Sequence, residues 1–245
     1  MEAQNLEAMS AELIDHLGAY GIECDERRAS LLLRHLFLVI EKNKVVNLTR
    51  ITSPQEALLL HVVDSLLPLA CPEVELSESS RFVDLGTGAG YPGIPLAVMT
   101  GASALLVDSV GKKVSAVNEF IGELGLDRAR ALHVRAEEIA PERLGRQDYV
   151  FVRAVAQSNV LIEYAAPLLR MHGRLVLEKG RPSDEELAAS LRAAKICGMT
   201  HVSRETFELP NDLGHREILI YEKVAKPRVK LPRRTGLAKK EPLGA

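Results

Sequence analysis

The stretch Phe82-Val83-Asp84-Leu85-Gly86-Thr87-Gly88-Ala89-Gly90-Tyr91-Pro92-Gly93-Ile94-Pro95 constrains this chain more than any other. Arg81 to Leu85 reads as a short buried strand, and Ile94 to Met99 as the start of an apolar helix. Four glycines lie between them, where a strand must turn abruptly and admit a ligand to the backbone. One carboxylate, Asp84, stands just inside the strand end; a second strand, Ala104 to Val107, ends in Asp108. An acidic group about 20 residues beyond such a turn is placed to grip a ribose. The chain reads as built to hold a nucleoside-containing cofactor. The bland alternative is a glycine-rich turn with two incidental acids.

The glycines alone do not name the nucleoside. Gly88-Ala-Gly90-Tyr-Pro-Gly93 satisfies G-x-G-x-x-G, a pattern whose N–H groups face a pyrophosphate in dinucleotide sites. Asp84, two residues before the first glycine, would oppose a phosphate. It suits a ligand that is cationic or zwitterionic at that spot, as S-adenosyl-L-methionine is through its sulfonium and amino group. Asp108 would then accept hydrogen bonds from both ribose hydroxyls.

Residues 6–19 and 25–43 have helical spacing. In the second, Asp25 reads as the N-cap, and Ala29, Leu32, Leu33, Leu36, Phe37 and Ile40 line one face. Pro54 opens a third helix, predicted to run to about Leu67 before Pro68 and Pro72 end it. This all-helical front, residues 1–75, cannot join a parallel sheet. It reads as an extension packed on, or lidding, a cofactor domain. From Arg81 onward, strands at 81–85, 104–108, 130–134, 148–153 and 173–178 alternate with helical segments at about 93–99, 111–124, 158–170 and 183–197. Two further strands, 200–208 and 215–224, are joined by Pro210-Asn-Asp-Leu-Gly214, a hairpin signal.

The expected fold class is α/β: a Rossmann-like class I S-adenosylmethionine-dependent methyltransferase sheet over 76–224, ending in an antiparallel hairpin, with an N-terminal helical extension. Dehydrogenases usually continue with parallel units, so the hairpin favours S-adenosylmethionine over NAD. An NAD-dependent oxidoreductase and a non-catalytic cofactor-binding RNA chaperone stand as the alternative readings.

The start of the chain carries Glu2 and Glu7 and no long apolar core, unlike a secretory leader, and no apolar run reaches the ~20 residues that cross a bilayer. Cys24, Cys71 and Cys197 are far apart and form no C-x-x-C pair, which points to a reducing, cytoplasmic setting and no metal site. Net charge is −2, yet Lys223 to Lys240 holds eight basic residues and no acid. A basic tail at 225–245 on an acidic body suggests local contact with a polyanion, through residues such as Lys226, Arg228, Arg233 and Arg234. A solvated, disordered terminus is the alternative.

In an open parallel sheet the ligand lies across the carboxyl ends of the strands. After the third strand, Ala136 and Glu137 are placed to flank an adenine; an acidic helix start is the structural alternative. After the fourth, Arg153 follows a buried run, an expensive position unless it is paired or lines a pocket. Absences narrow the acceptor. The Asp/Asn-Pro-Pro-Tyr element of exocyclic-amine methylation is missing here, and no cysteine falls at a strand end for carbon methylation of pyrimidines. A ring nitrogen with a free lone pair, such as guanine N7, needs neither and loses no proton, so catalysis rests on in-line positioning and desolvation.

Taken together, these residues resemble one family: the small-subunit rRNA guanine-N7 methyltransferases, also called glucose-inhibited division protein B (RsmG/GidB). The matching stretches are Asn47-Leu48-Thr49, His61-Val-Val-Asp64-Ser65, the run Asp84 to Leu96, Leu106-Val-Asp108-Ser109 with Lys112-Lys113, Arg135-Ala-Glu137, Val152-Arg153-Ala154 and Gly173-Arg-Leu. The tail elements Pro232-Arg-Arg-Thr-Gly and Lys239-Lys240-Glu-Pro-Leu243 are also similar. The resemblance implies methyl transfer to N7 of a guanosine in the decoding-centre loop of 16S rRNA, on naked rRNA, an assembly intermediate or the small ribosomal subunit. It implies Gly86, Tyr91, Ala136, Glu137 and Arg153 as cofactor contacts, with Asp84, Gly88 and Gly90 in the loop and Asp108 on the ribose. Arg153 is also the expected catalytic residue, and Asn47, His61 and Asp64 the expected substrate-side residues. His61 and Asp64 share a helix face. Where the family often has an aromatic pair, this chain has Lys42 and Val46.

Overall fold

The computed structural model describes residues 2–139, 141–153 and 156–245; Ala154 of the Val152-Arg153-Ala154 match lies outside them. Seven strands form one sheet in the order β3-β2-β1-β4-β5-β7-β6. They are β1 (Arg81–Leu85), β2 (Ser103–Asp108), β3 (Ala129–His133), β4 (Gln147–Arg153), β5 (Leu169–Lys179), β6 (Met199–Leu209) and β7 (Gly214–Lys223). β1 to β5 are parallel, and β7 runs antiparallel between β5 and β6, so the expected closing hairpin is present. β5 begins four residues earlier than the spacing predicts, and the preceding helix, α7 (Ser158–Ala165), stops short of 170. Leu169 pairs with Gln147 across an irregularity at Gly173, where a side chain would meet the Gln147 carbonyl at 2.8 Å.

Alternation along the strands sends their side chains to two layers. One face packs against α7, α8 (Asp184–Cys197) and the C-terminal segment. The other carries α1 (Glu2–Ala19), α2 (Glu26–Asn43), the segment 54–70, α5 (Gly93–Thr100) and α6 (Gly111–Glu123). α5 explains why the helical front is needed. Every residue from Gly93 to Met99 is buried, and a helix that is apolar all round requires cover on both sides. The sheet covers one side and the helical front the other, within one continuous apolar cluster running from Met9 to Ile220.

The buried stripe of α2 is Ala29, Leu32, Leu33, Leu36 and Val39, with His35 beside it. Phe37, expected on this face, is exposed because it falls about 100° off the stripe. Asp25 does cap the helix, accepting the Arg28 N–H at 2.7 Å. The third helix is broken up: α3 (Pro54–Ala57) passes into a π turn (Leu58–Val63), one turn of α4 (Asp64–Leu66) and a 3₁₀ turn (Leu67–Ala70). Such π turns inside helices are frequent at functional sites.

Candidate active site

Two cavities open at the carboxyl ends of the central strands. The first, about 290 Å³, is lined by Gly86, Asp108, Ala136 and Glu137, by the apolar walls Val107, Val134 and Leu161, and by Gly236 and Lys239 from the tail. Its volume sits at the small end of ligand pockets, about 300–1,000 Å³. Gly86 and Gly88 have φ of +82° and +60°, which lets the turn leave the sheet sharply. Asp108 holds that turn: Oδ2 accepts the Gly88 N–H at 3.0 Å and Oδ1 the Val110 N–H at 2.9 Å. A carboxylate has about four acceptor positions, so two remain for a diol. Carboxylates beside apolar walls fit an adenosine.

Asp84 does not line this cavity. It is fully buried beneath the turn, where Oδ2 accepts the Gly93 N–H at 2.9 Å and Oδ1 has no hydrogen-bond partner among the described residues. Burial pushes its carboxyl up to about 6. The folded chain therefore holds this proton more tightly than the unfolded chain does, and folding stability from this group falls as pH rises from about 4 to 6. Asp84→Asn keeps an acceptor for Gly93 and removes the charge. It is expected to be about 2–3 kcal/mol more stable than wild type at pH 7.5 and equal to it near pH 4. Urea denaturation at the two pH values checks this, and an unchanged difference between them contradicts it.

The second cavity, about 410 Å³, is lined by Leu60, His61, Asp64, Arg153, Glu178, Lys179, Gly180 and Arg216. Asp64, 5% exposed, accepts Arg216 Nε at 2.9 Å and Arg153 Nη1 at 3.4 Å. Arg153 Nη1 also donates to the Leu60 carbonyl at 3.5 Å, so the π turn and the end of β4 meet here. Below them the Tyr91 ring stacks on His61 (centroids 4.8 Å apart, 16° between planes) and tilts against His35 at 4.5 Å. The Arg153 guanidinium lies 5.6 Å from the Tyr91 ring centroid. Burial pulls His61 down to about 4 and His35 down to about 3, and it pushes the Tyr91 phenol up. Both imidazoles are therefore neutral at physiological pH. His35 Nε2 donates to the Ala89 carbonyl at 3.0 Å, which pins the glycine turn to α2.

Gly86, Asp108, Ala136 and Glu137 thus share one cavity, and Arg153, His61 and Asp64 share the other. Gly90 and Tyr91 lie in the buried turn between them. Glu137 is partly committed within the chain, since Oε1 accepts the Gly236 N–H at 2.9 Å. Asn47 is exposed; its neighbours Leu48 and Thr49 do the local work. Thr49 Oγ1 bonds His61 Nε2 at 2.8 Å, and Asn43 Oδ1 accepts the N–H groups of Leu48 and Thr49 at 2.8 and 3.0 Å. At the positions where aromatics were expected, Lys42 pairs with Glu119 and Val46 is half-buried.

The tail is docked, which corrects the picture of a solvated terminus. Arg228 N donates to the Ile196 carbonyl at 2.8 Å, Leu231, Ala238 and Leu243 join the apolar layer over α7 and α8, and α9 (Leu237–Lys240) follows Gly236. Arg233 makes a bidentate pair with Glu163 at 2.7 and 2.6 Å, which takes it out of the exposed basic set. Lys226, Arg228 and Arg234 stay exposed. The sequence pattern does not mark Arg216, Glu178 or Asn43, and it marks Thr49 only within the Asn47-Leu48-Thr49 match.

A family model described as rRNA small subunit methyltransferase G matches residues 28–217. The chain belongs to this family. Ribosomal RNA small subunit methyltransferase G of Carboxydothermus hydrogenoformans is 35% identical over 238 residues, covering 96% of this chain and 100% of that one. The methyltransferase G of Alkaliphilus metalliredigens is 36% identical over 91% of this chain and 94% of its own length. Among solved structures, geranyl diphosphate methyltransferase in complex with SAM superposes with a TM-score of 0.51 at 16% identity, over 66% of this chain and 83% of that one. That likeness carries the fold alone: the class I methyltransferase sheet. Membership of the methyltransferase G family removes the oxidoreductase alternative. Among the described residues no helix is long and apolar enough to cross a membrane, and no three His, Cys, Asp or Glu side chains cluster as metal ligands.

Proposed function

We propose that this chain methylates N7 of a guanosine in the decoding-centre loop of 16S rRNA, with S-adenosyl-L-methionine as donor. The observation that carries the reading is the Gly86–Tyr91 turn. One end, Gly86, forms a wall of the nucleoside-sized cavity; the other, Tyr91, packs under the His61 and Arg153 side chains of the second. When bound, S-adenosylmethionine supplies a sulfonium methyl, and its transfer forms the N7–carbon bond as the sulfur–carbon bond breaks, with no proton lost from guanine.

The residues present suit a reaction that needs no base. His35 and His61 are neutral, Tyr91 keeps its proton, and Asp64 is clamped by two arginines. The chain's contribution is then to orient two reactants and exclude water. In this reading Asp108 holds the ribose, Ala136 and Glu137 flank the adenine, and Gly86, Gly88 and Gly90 shape a turn without side chains that lets the cofactor approach the backbone. Asp84 acts through the loop. Tyr91, His61, Asp64 and Arg153 wall the acceptor side, where Arg153 positions the base. Residues 1–75 complete the acceptor cavity through the π turn. Exposed Lys226, Arg228 and Arg234, together with Asn47, contact rRNA in the small ribosomal subunit or its precursor, with affinity falling steeply as salt rises.

Incubation with methyl-labelled S-adenosylmethionine and small-subunit rRNA is expected to produce N7-methylguanosine at one position, located by borohydride reduction and aniline cleavage. Label on another atom, or none on naked rRNA and isolated subunits alike, contradicts the proposal.

A further inference from the structure

Glu178, on the wall of the acceptor cavity, is a buried acid with no hydrogen-bond partner among the described residues. It stands in register with Arg153 across the parallel β4–β5 pair, so both side chains leave the sheet on the same face. It is 4% exposed, and neither Oε1 nor Oε2 has a hydrogen-bond partner among the described residues. The other charged groups lining the cavity each have a partner. Asp64 takes Arg153 and Arg216, and Lys179 Nζ bonds Glu186 at 2.7 Å and the Ala156 carbonyl at 2.9 Å. A buried carboxyl without donors destabilises a fold. Such an arrangement persists where a ligand brings the donors.

The ligand must present two adjacent N–H groups to the two carboxyl oxygens. Guanine does so on its Watson–Crick edge, through N1–H and N2–H. Adenine offers one donor next to a bare ring lone pair, which a carboxylate repels. That edge also lies across the purine from N7. A base held by it keeps the N7 lone pair free to react, whereas a donor placed on N7 would occupy the reacting pair. We propose that Glu178 reads the target base, its carboxylate accepting N1–H and N2–H of the guanine whose N7 is methylated; this rests on the N7 reading above. Burial pushes this carboxyl well above the usual range while Arg153 opposes the shift. Two donors from the base favour the ionised form further.

The test compares wild type, E178Q and the apolar near-isostere E178M on rRNA fragments carrying guanosine or inosine, which lacks the 2-amino group, at the target position. In wild type, inosine is expected to lower kcat/KM roughly 10- to 100-fold. E178Q and E178M are expected to lose a similar factor on guanosine and to show no preference between the two bases. S-adenosylhomocysteine affinity should be unchanged, and the Tm of E178M raised. Full activity of E178Q on guanosine, a guanosine preference that survives in either variant, or a lowered Tm of E178M with unchanged base preference overturns the assignment. Wild type that methylates RNA, but not at N7, overturns the function and this assignment together. Wild type active at N7 with E178Q indistinguishable from it overturns the assignment alone.

Discussion

Asp108→Ala is expected to raise the dissociation constant for S-adenosylhomocysteine on the order of 10²- to 10⁴-fold. The carboxylate both shapes the site and faces the ribose. Its two oxygens accept the Gly88 and Val110 N–H groups, one from the glycine turn after β1 and the other from the residue before α6. Those two bonds hold the turn in its binding shape, while the two hydrogen bonds offered to the ribose hydroxyls, about 1.5–3 kcal/mol each to a charged acceptor, set the loss in affinity. At 8% exposure, water does not replace them well. Asp108→Asn should fall between, because its amide keeps one acceptor oxygen and turns an N–H against the other donor. Isothermal titration calorimetry on folded variants checks this. A dissociation constant within about threefold of wild type would remove Asp108 from the cofactor site.

Local chemistry made much of this site legible in the sequence. Gly86, Asp108, Ala136 and Glu137 sit at strand ends, and a parallel sheet gathers strand ends in one place, so finding the strands sufficed to bring them together. Arg153 was found by a rule about charges that follow buried runs. The same rule applies to Leu175-Val-Leu-Glu178, but Glu178-Lys179 reads equally well as the solvated end of a strand. Only the register with Arg153 and the absence of donors among the described residues separate the two. The π turn at Leu58–Val63 has no sequence signature. There Ser65 Oγ donates to the His61 carbonyl at 2.5 Å while the His61 ring is held by Tyr91 and Thr49, contacts that depend on packing. The start of β5 is not legible in the sequence because Leu168 and Leu169 suit a buried helix as well as a buried strand.

The tail shows the limit most clearly, because composition described its charge and said nothing of its partner. Arg233 and Glu163 are 70 residues apart in the chain. Glu163 lies on α7 among side chains that are all buried, and its side chain is 3% exposed. Breaking such a pair from one side leaves a charge buried without its partner, at about 3–5 kcal/mol. Arg233→Met is therefore expected to lower stability by about that amount. The double variant Arg233→Met with Glu163→Leu is expected to recover most of it, since apolar residues of similar volume often replace a buried pair without loss. Cofactor binding should follow the same order. Gly236 and Lys239 form part of the nucleoside cavity, and Gly236 N–H is held by Glu137, so undocking the strap opens that wall. Arg233→Met should then weaken S-adenosylhomocysteine binding, and the double variant should restore it, as read by urea denaturation and calorimetry on the same samples. A single variant as stable as wild type would show that the tail docks through its apolar residues, Leu231, Ala238 and Leu243, with the ion pair contributing little.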